Sequence, residues 1–244
     1  MNAIVTGASR GIGRAIVEKF AKNNINVWAC ASKENEQLEQ YGKELQAQNG
    51  VWIKPVYFDL RDDGQIKKQL GQIVNEKKPV DILVLVNNAG IPFGGLMQMT
   101  SLKKLREVME VNFISQIAVT QIISKVMMKQ QRGSIVNIGS VGGIEAREGY
   151  LAYGSSKAAF MWATRMISKE LGPYHIRVNA VAPGLLDTDM GMYKPQEERR
   201  KILQENSMKR LGTPEEVADI VYFLASEEAS FMTGSIVNVD GGRL

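Results

Sequence analysis

Residues 80–86 read VDILVLV, six apolar residues in seven with no polar alternation. A strand with one wet face alternates apolar and polar side chains. One that is apolar throughout is covered on both faces, the condition of an inner strand in a parallel sheet with helices above and below. Short β-branched runs recur around it: AIVT (3–6), INVWACA (25–31), VWIKPVYFD (51–59), SIVNIG (134–139), IRVNAVA (176–182) and SIVNVD (235–240). Longer amphipathic stretches separate them, and helices are expected over 14–23, 34–48, 63–77, 102–130, 152–172 and 195–205. A last helix is expected from Thr213, where Thr213-Pro214-Glu215-Glu216 supplies a cap, a first-position proline and a capping-box glutamate. Strand–helix alternation on this scale predicts an α/β fold: one doubly wound parallel sheet of about seven strands with helices on both faces. No repeat, linker-like tract or composition break interrupts the 244 residues, so a single domain over 1–244 is expected.

Composition narrows the chemistry. One cysteine, Cys30, leaves no internal disulfide and no cysteine-based zinc site, and one histidine, His175, gives little support to a metal cluster or a Ser-His-Asp triad. No metal is expected. The formal charge of +4 is small for this length, and the basic runs Lys67-Lys68, Lys77-Lys78 and Arg199-Arg200-Lys201 lie near acids. Without a basic stripe or a binding motif, no nucleic-acid partner is expected. The N-terminus enters a strand without the basic start and long apolar segment of a signal peptide. The run 80–86 is far too short to cross a bilayer. The expected location is cytoplasmic, with no membrane partner.

The turn between the first strand and the first helix, VTGASRGIGRAI (5–16), carries Gly7, Gly11 and Gly13 as G-x3-G-x-G. At this place a parallel sheet presents a helix N-terminus to phosphate, and small residues let the backbone approach a pyrophosphate. This makes the fold Rossmann-like, and no G-x4-G-K-[ST] run points to a nucleoside triphosphate instead. An NAD-selective fold carries an acid about 20 residues beyond the glycines. That distance reaches Lys33, preceded by Ser32, in CASKENE. Lys33, Ser32 and Arg10 together would neutralise a 2′-phosphate, so NADP(H) is preferred. Glu34 keeps NAD(H) open as the alternative, because a one-residue shift in the strand end makes it a ribose acid.

Further motifs follow in order: NNAG (87–90) after the fourth strand, Asn112 in VMEVNF, Ser140 after NIG, YGSSK (153–157), APG (182–184), and Thr188 in LLDTDM. With TGASRGIG at the front and FMTGSIVNVDGG near the end, this ordered set resembles the short-chain dehydrogenase/reductase family over essentially the whole chain. TGASRGIGRAI, IRVNAVAPG and RLGTPEEVADIVYFLASEEASFMTG are most similar to the 3-oxoacyl-[acyl-carrier-protein] reductases of that family. The resemblance implies a cofactor-binding part over about 1–140 and a catalytic and substrate part over about 140–244. It implies NADPH-dependent reduction of a carbonyl, 3-oxoacyl-[acyl-carrier-protein] to the 3-hydroxyacyl form, as in fatty acid biosynthesis. The alternative is an NAD(P)-dependent reductase or dehydrogenase of a sugar, polyol or other small carbonyl. A non-catalytic dinucleotide-binding sensor is the reading from a different class.

Reduction by hydride leaves negative charge on oxygen, which must be protonated. A free tyrosine, with a pKa of about 10, is a poor donor near neutrality unless tuned. Lys157 lies four residues after Tyr153 on the same helical face. The resemblance assigns Tyr153 as general acid, Ser140 as the group orienting the carbonyl, and Lys157 as tuner of the tyrosine and holder of the nicotinamide ribose. Asn112 would hold a water linking Lys157 to solvent. Cofactor contacts implied in the same way are Gly7, Ser9, Arg10, Gly11, Ile12, Gly13, Ser32, Lys33, Asp59 and Leu60. They continue with Asn88, Ala89, Gly90, Tyr153, Lys157, Pro183, Gly184, Leu186 and Thr188. The segment 185–205 is expected as a flap over the substrate, and Glu145, Arg147 and Glu148 in 141–151 as polar contacts on another wall. Family members are usually tetramers, so a homotetramer is expected; Val119, Ile123, Phe160 and Thr164 on the helices that would pair fit that interface and fit packing within the chain equally.

Overall fold

The computed structural model describes residues 1–75, 81–192 and 196–243. Residues 76–77 of the expected third helix, Val80 and residue 195 lie outside the described residues. Seven parallel strands form one sheet: β1 (Asn2–Thr6), β2 (Asn26–Ala31), β3 (Ile53–Tyr57), β4 (Ile82–Asn87), β5 (Gly133–Ile138), β6 (Ile176–Pro183) and β7 (Ile236–Val239). Their order is β3-β2-β1-β4-β5-β6-β7. The chain winds outward from β1 to β3, crosses back to β4 and winds outward the other way. The reversal between β1 and β4 opens a crevice at their carboxyl ends, the place where such sheets bind ligands.

Strand periodicity divides the core in two. Ala3, Val5, Val27 and Ala29 face one side, where Ile16, Val17 and Phe20 of α1 (Gly11–Lys22) pack with Leu38 and Leu45 of α2 (Glu36–Asn49). Val217, Val221 and Leu224 of α9 (Pro214–Ala225) complete that layer. Ile4, Trp28 and Cys30 face the other side, against Ile66 and Leu70 of α3 (Asp63–Val74) and Val119, Ile123 and Met127 of α5 (Ser115–Gln130). The remaining helices are α4 (Leu102–Met109), α6 (Leu151–Leu171), α7 (Asp189–Met192) and α8 (Gln196–Glu205). α9 starts as its sequence demands, with Thr213 and Glu216 closing a capping box and Pro214 in the first turn.

Two expected helices change shape. α1 begins at Gly11 rather than residue 14, so Gly11 and Gly13 lie in its first turn. The helix expected over 102–130 is interrupted by a π-helical turn at Glu110–Ile114, which contains Asn112. The stretch Leu102–Gln130 is long and apolar enough to match a membrane span, but half of its most apolar window is buried, as in a core helix. The residues expected to pair subunits are also reassigned. Val119, Ile123 and Thr164 are wholly buried and Phe160 is 1% exposed, and Thr164 Oγ1 accepts from Asn137 Nδ2 at 2.9 Å. These side chains fill this chain's own interior. The same helices instead expose Leu102, Ile114, Trp162 and Met166.

Candidate active site

The crevice widens into a cavity of about 1410 Å³ that runs from the glycine turn past the end of β5 to the start of α6. Gly7 and Gly11 both adopt left-handed backbone, with φ of 66° and 52°. A Cβ on Gly13 would lie 2.1 Å from Gly7 O, so only glycine lets α1 start this close to the strand. No side chain caps α1 and no acid occupies its first turn, and Gly11 and Ile12 face the cavity. A helix N-terminus left this way suits a pyrophosphate. Asn88 fixes the turn from behind, its Nδ2 donating to Thr6 O at 2.9 Å and Gly7 O at 3.0 Å. The residues present therefore fit a nicotinamide dinucleotide.

Most of the expected contacts line this cavity: Ser9, Arg10 and Ser32 at one end, Asp59 and Leu60 beside them, Ala89 and Gly90 below. Pro183, Gly184, Leu186 and Thr188 form the opposite rim. Two of these contacts, Gly13 and Lys33, do not reach it, and neither does Asn112, the expected relay residue. Gly13 lies beneath the turn as a packing position. Asn112 is completely buried behind Gly90. Lys33 is exposed at the end of β2 and is not among the lining residues, and Glu34 lines a separate cleft with Trp28, Lys54 and Tyr57. Arg10 and Arg14, from α1 and its turn, are cations that line the cavity with Ser32; Arg10 pairs with Asp189 at 3.2 Å and Arg14 lies 3.9 Å over the Tyr41 ring. Asp59 is paired with Arg61 at 2.6 Å, which lowers its pKa through that hydrogen bond.

The chemical end is built by β5 and α6. Ser140 follows β5 in extended backbone and its Oγ accepts from Gly142 N at 3.1 Å. The Tyr153 ring stands edge-on to Tyr150, with centroids 6.2 Å apart. Burial raises the Tyr153 pKa above its ordinary value of 10.0, and a hydrogen bond with Ser140 opposes that rise. Lys157 is 4% exposed and its Nζ donates to Ile138 O at 2.7 Å. With a neutral carbonyl as its partner, burial pulls the ammonium down to about 8. In the protein alone, then, burial outweighs any lowering of the tyrosine by Lys157. Asn112 Oδ1 accepts from Ile91 N at 2.8 Å and its Nδ2 donates to Ile91 O at 3.1 Å, so the π-helical turn is stitched to the strand-end segment after NNAG.

The substrate wall differs from expectation in its charges. Arg147 pairs with Glu145 at 3.0 Å and with Glu205 of α8, and Arg243 pairs with Glu145 at 2.8 Å. Two guanidinium groups and two carboxylates thus neutralise one another, and of the three expected polar contacts only Glu148 faces the cavity. Leu186, Met190 and Ile202 from the expected flap do line it. Sequence reasoning missed Ile138 and Ile91, which act through backbone atoms, and Ser156, which lies inside the quoted YGSSK motif.

A family model described as enoyl-(acyl carrier protein) reductase matches residues 7–243. A 3-oxoacyl-[acyl-carrier-protein] reductase of Aquifex aeolicus is 39% identical over 240 residues, covering 98% of this chain and 96% of its own. The chain is a short-chain dehydrogenase/reductase. The Escherichia coli 3-oxoacyl-[acyl-carrier-protein] reductase is 36% identical at the same coverage. Among solved short-chain dehydrogenase/reductase structures, a putative gluconate dehydrogenase of Agrobacterium tumefaciens superposes with a TM-score of 0.93 at 29% identity, covering 99% of this chain and 95% of that one. A 3-oxoacyl-[acyl-carrier protein] reductase of Brucella melitensis with bound NAD gives 0.89 at 32% identity, covering 100% and 91%. As a short-chain dehydrogenase/reductase the protein is an oxidoreductase that interconverts carbonyl and alcohol with a nicotinamide dinucleotide.

Proposed function

We propose that this enzyme reduces the keto group of 3-oxoacyl chains carried on acyl carrier protein, using NADPH. The observation that carries the reading is the convergence of Ser140, Tyr153 and Lys157 on one cavity with the uncapped N-terminus of α1. The names of relatives at 34–39% identity, matched over 98% of this chain, supply the substrate class. When bound, the cofactor supplies a hydride to the carbonyl carbon. Ser140 Oγ orients the carbonyl oxygen, and Tyr153 gives that oxygen its proton. Burial keeps the phenol protonated through neutrality but makes it a weaker acid, so Lys157 and the positive nicotinamide ring of the bound oxidised cofactor would have to bring its pKa down for efficient proton transfer. Lys157 would hold the nicotinamide ribose and draw the proton back from solvent through water beside Asn112. Arg10 and Ser32 would take the 2′-phosphate that separates NADPH from NADH. The division of the chain near residue 140, a homotetramer and a cytoplasmic location complete the proposal.

A second reading is reduction or oxidation of a sugar acid or polyol. It is favoured by the superposition on a putative gluconate dehydrogenase. The test is a panel of acyl-carrier-bound 3-oxoacyl chains, sugar acids and simple ketones, run with NADPH and with NADH. Acyl thioesters should be reduced fastest, and Tyr153→Phe should cut turnover by roughly 10²–10⁴-fold while cofactor binding persists. Faster turnover of sugar acids would replace the first reading with the second, and cofactor binding without turnover on any substrate would overturn both.

A further inference from the structure

We infer that Ser156 is a positioning residue that couples the π-helical turn carrying Asn112 to the first turn of α6, where Tyr153 and Lys157 sit; this rests on the assignment of Tyr153 as the acid. Ser156 is completely buried, as is Asn112. Its Oγ donates to Tyr153 O at 2.7 Å, and the same oxygen accepts from Asn112 Nδ2 at 3.1 Å. One hydroxyl therefore has both its proton and a lone pair committed, and its orientation is fixed.

The Asn112 amide is committed as well. Oδ1 takes Ile91 N, one Nδ2 proton goes to Ile91 O, and the other goes to Ser156. The result is a continuous path from the segment after β4, through the π-helical turn, to the main chain of Tyr153. Lys157 lies on the same side: a carbon placed on Gly90 would be 3.1 Å from Asn112 Oδ1 and 3.5 Å from Lys157 Nζ. Two anchors then hold α6 at its catalytic end. Lys157 ties it to β5 through Ile138 O at 2.7 Å, and Ser156 ties it to α4 and α5 through Asn112. Neither anchor touches substrate through Ser156 itself, since its hydroxyl is wholly turned to the protein.

This explains why the helix is broken where it is. In a regular helix the Asn112 side chain would compete with backbone bonds. The π-helical turn at Glu110–Ile114 accommodates it, and its amide spans two neighbouring elements. Ser156 is the receiving end of that span. Removing the oxygen frees one Asn112 N–H in a buried place and releases the Tyr153 carbonyl from its second contact, so the phenol loses its fixed relation to Lys157.

The test is Ser156→Ala, which removes one oxygen and substitutes a better helix former. Five measurements are made: kcat, KM, cofactor affinity by equilibrium titration, the thermal midpoint and the pH–rate profile. We expect kcat to fall roughly 10- to 100-fold, the cost of a small misplacement of a reacting group. KM and cofactor affinity should stay within about twofold, and the basic limb of the pH–rate profile should move to higher pH as Lys157 loses its grip on the phenol. In an Asn112→Ala background, adding Ser156→Ala should cost little more, because the coupling is already broken. Unchanged kcat and pH profile would overturn the proposal, and so would losses that multiply fully in the double variant. Should Ser156→Ala melt well before the parent, Ser156→Cys carries the same comparison. Parallel loss of kcat, cofactor affinity and thermal midpoint in both variants would make the role structural only and sink the idea. If Tyr153→Phe itself keeps its activity, the fault lies in the catalytic assignment instead.

Discussion

Replacing Lys157 with methionine sets the chemistry of the site against the stability of the fold. The ammonium is 4% exposed, and its partner at 2.7 Å is the neutral Ile138 carbonyl. Burial lowers its pKa from 10.5 to about 8. At about 1.4 kcal/mol per pH unit, keeping the group charged near neutrality costs the folded state about 3 kcal/mol. Methionine removes the charge at similar volume but leaves Ile138 O without that donor, a loss of about 1–2 kcal/mol. The variant should therefore be more stable than the parent by about 1–2 kcal/mol near neutral pH. The sign of the pH dependence follows from proton counting. Between about pH 8 and 10.5 the unfolded lysine holds its proton while the folded one has released it, so parental stability rises with pH across that window. Below it both states are protonated, and the advantage of methionine is constant and full. Urea titrations of the cofactor-free proteins near pH 7 and near pH 10 should show the methionine protein ahead at the first and level or behind at the second. A methionine protein that is less stable by the same margin at both would refute the reasoning, because Lys157 would then carry no burial cost. Carbonyl reduction should be lost in either case, so stability and turnover move in opposite directions.

Three further substitutions check the cofactor end. Lys33→Ala should leave NADPH affinity within about twofold, because Lys33 lies outside the cavity, whereas Arg10→Ala should weaken NADPH roughly tenfold and NADH little. Fluorescence titration with both cofactors measures this, and a selective loss from Lys33→Ala alone would count against the placement of the 2′-phosphate beside Arg10. Gly13→Ala drives a methyl to 2.1 Å from Gly7 O. It should lower stability by about 3 kcal/mol or more and abolish cofactor binding, read by chemical denaturation and by titration; a near-neutral effect would mean that α1 can withdraw from the turn.

The sheet was legible because its strands announce themselves. VDILVLV is apolar on both faces, and β4 lies between β1 and β5 with Val84, Leu85 and Val86 wholly buried. The glycine turn was legible for a similar reason, since few sequences tolerate a helix starting directly against a strand. The boundary of α1 was read three residues late because Gly11, Ile12 and Gly13 lack the amphipathic pattern that marks a helix, although their backbone is helical. The π-helical turn left only one trace, an asparagine in an apolar helical run. Its cause, the pairing of Asn112 with Ile91, spans 21 residues and uses backbone atoms that any residue type supplies. The same holds for Lys157 and Ile138 O.

The charges of the substrate wall were misread for a related reason. Glu145 and Arg147 are expected on the cavity wall because their partners are distant in sequence: Arg243 lies 98 residues from Glu145, and Glu205 lies 58 residues from Arg147. Periodicity left the subunit contacts open: two faces of α5 and α6 are apolar, and the pattern alone does not say which one the sheet has already covered. Val119, Ile123, Phe160 and Thr164 belong to the covered face, while Trp162 and Met166 remain 60% and 39% exposed. Sequence thus speaks clearly where the chemistry admits few side chains, as a proton donor beside a lysine does. It speaks poorly where function is set by pairing across the fold. The keto-reducing end of the cavity is of the first kind. The wall that selects the substrate, with Glu145, Arg147, Glu205 and Arg243 cancelling one another and Leu186, Met190 and Ile202 facing inward, is of the second. Glu148 still faces the cavity from this wall, but four charges that cancel one another and apolar side chains turned inward suit an uncharged chain such as an acyl group better than a polyhydroxylated one.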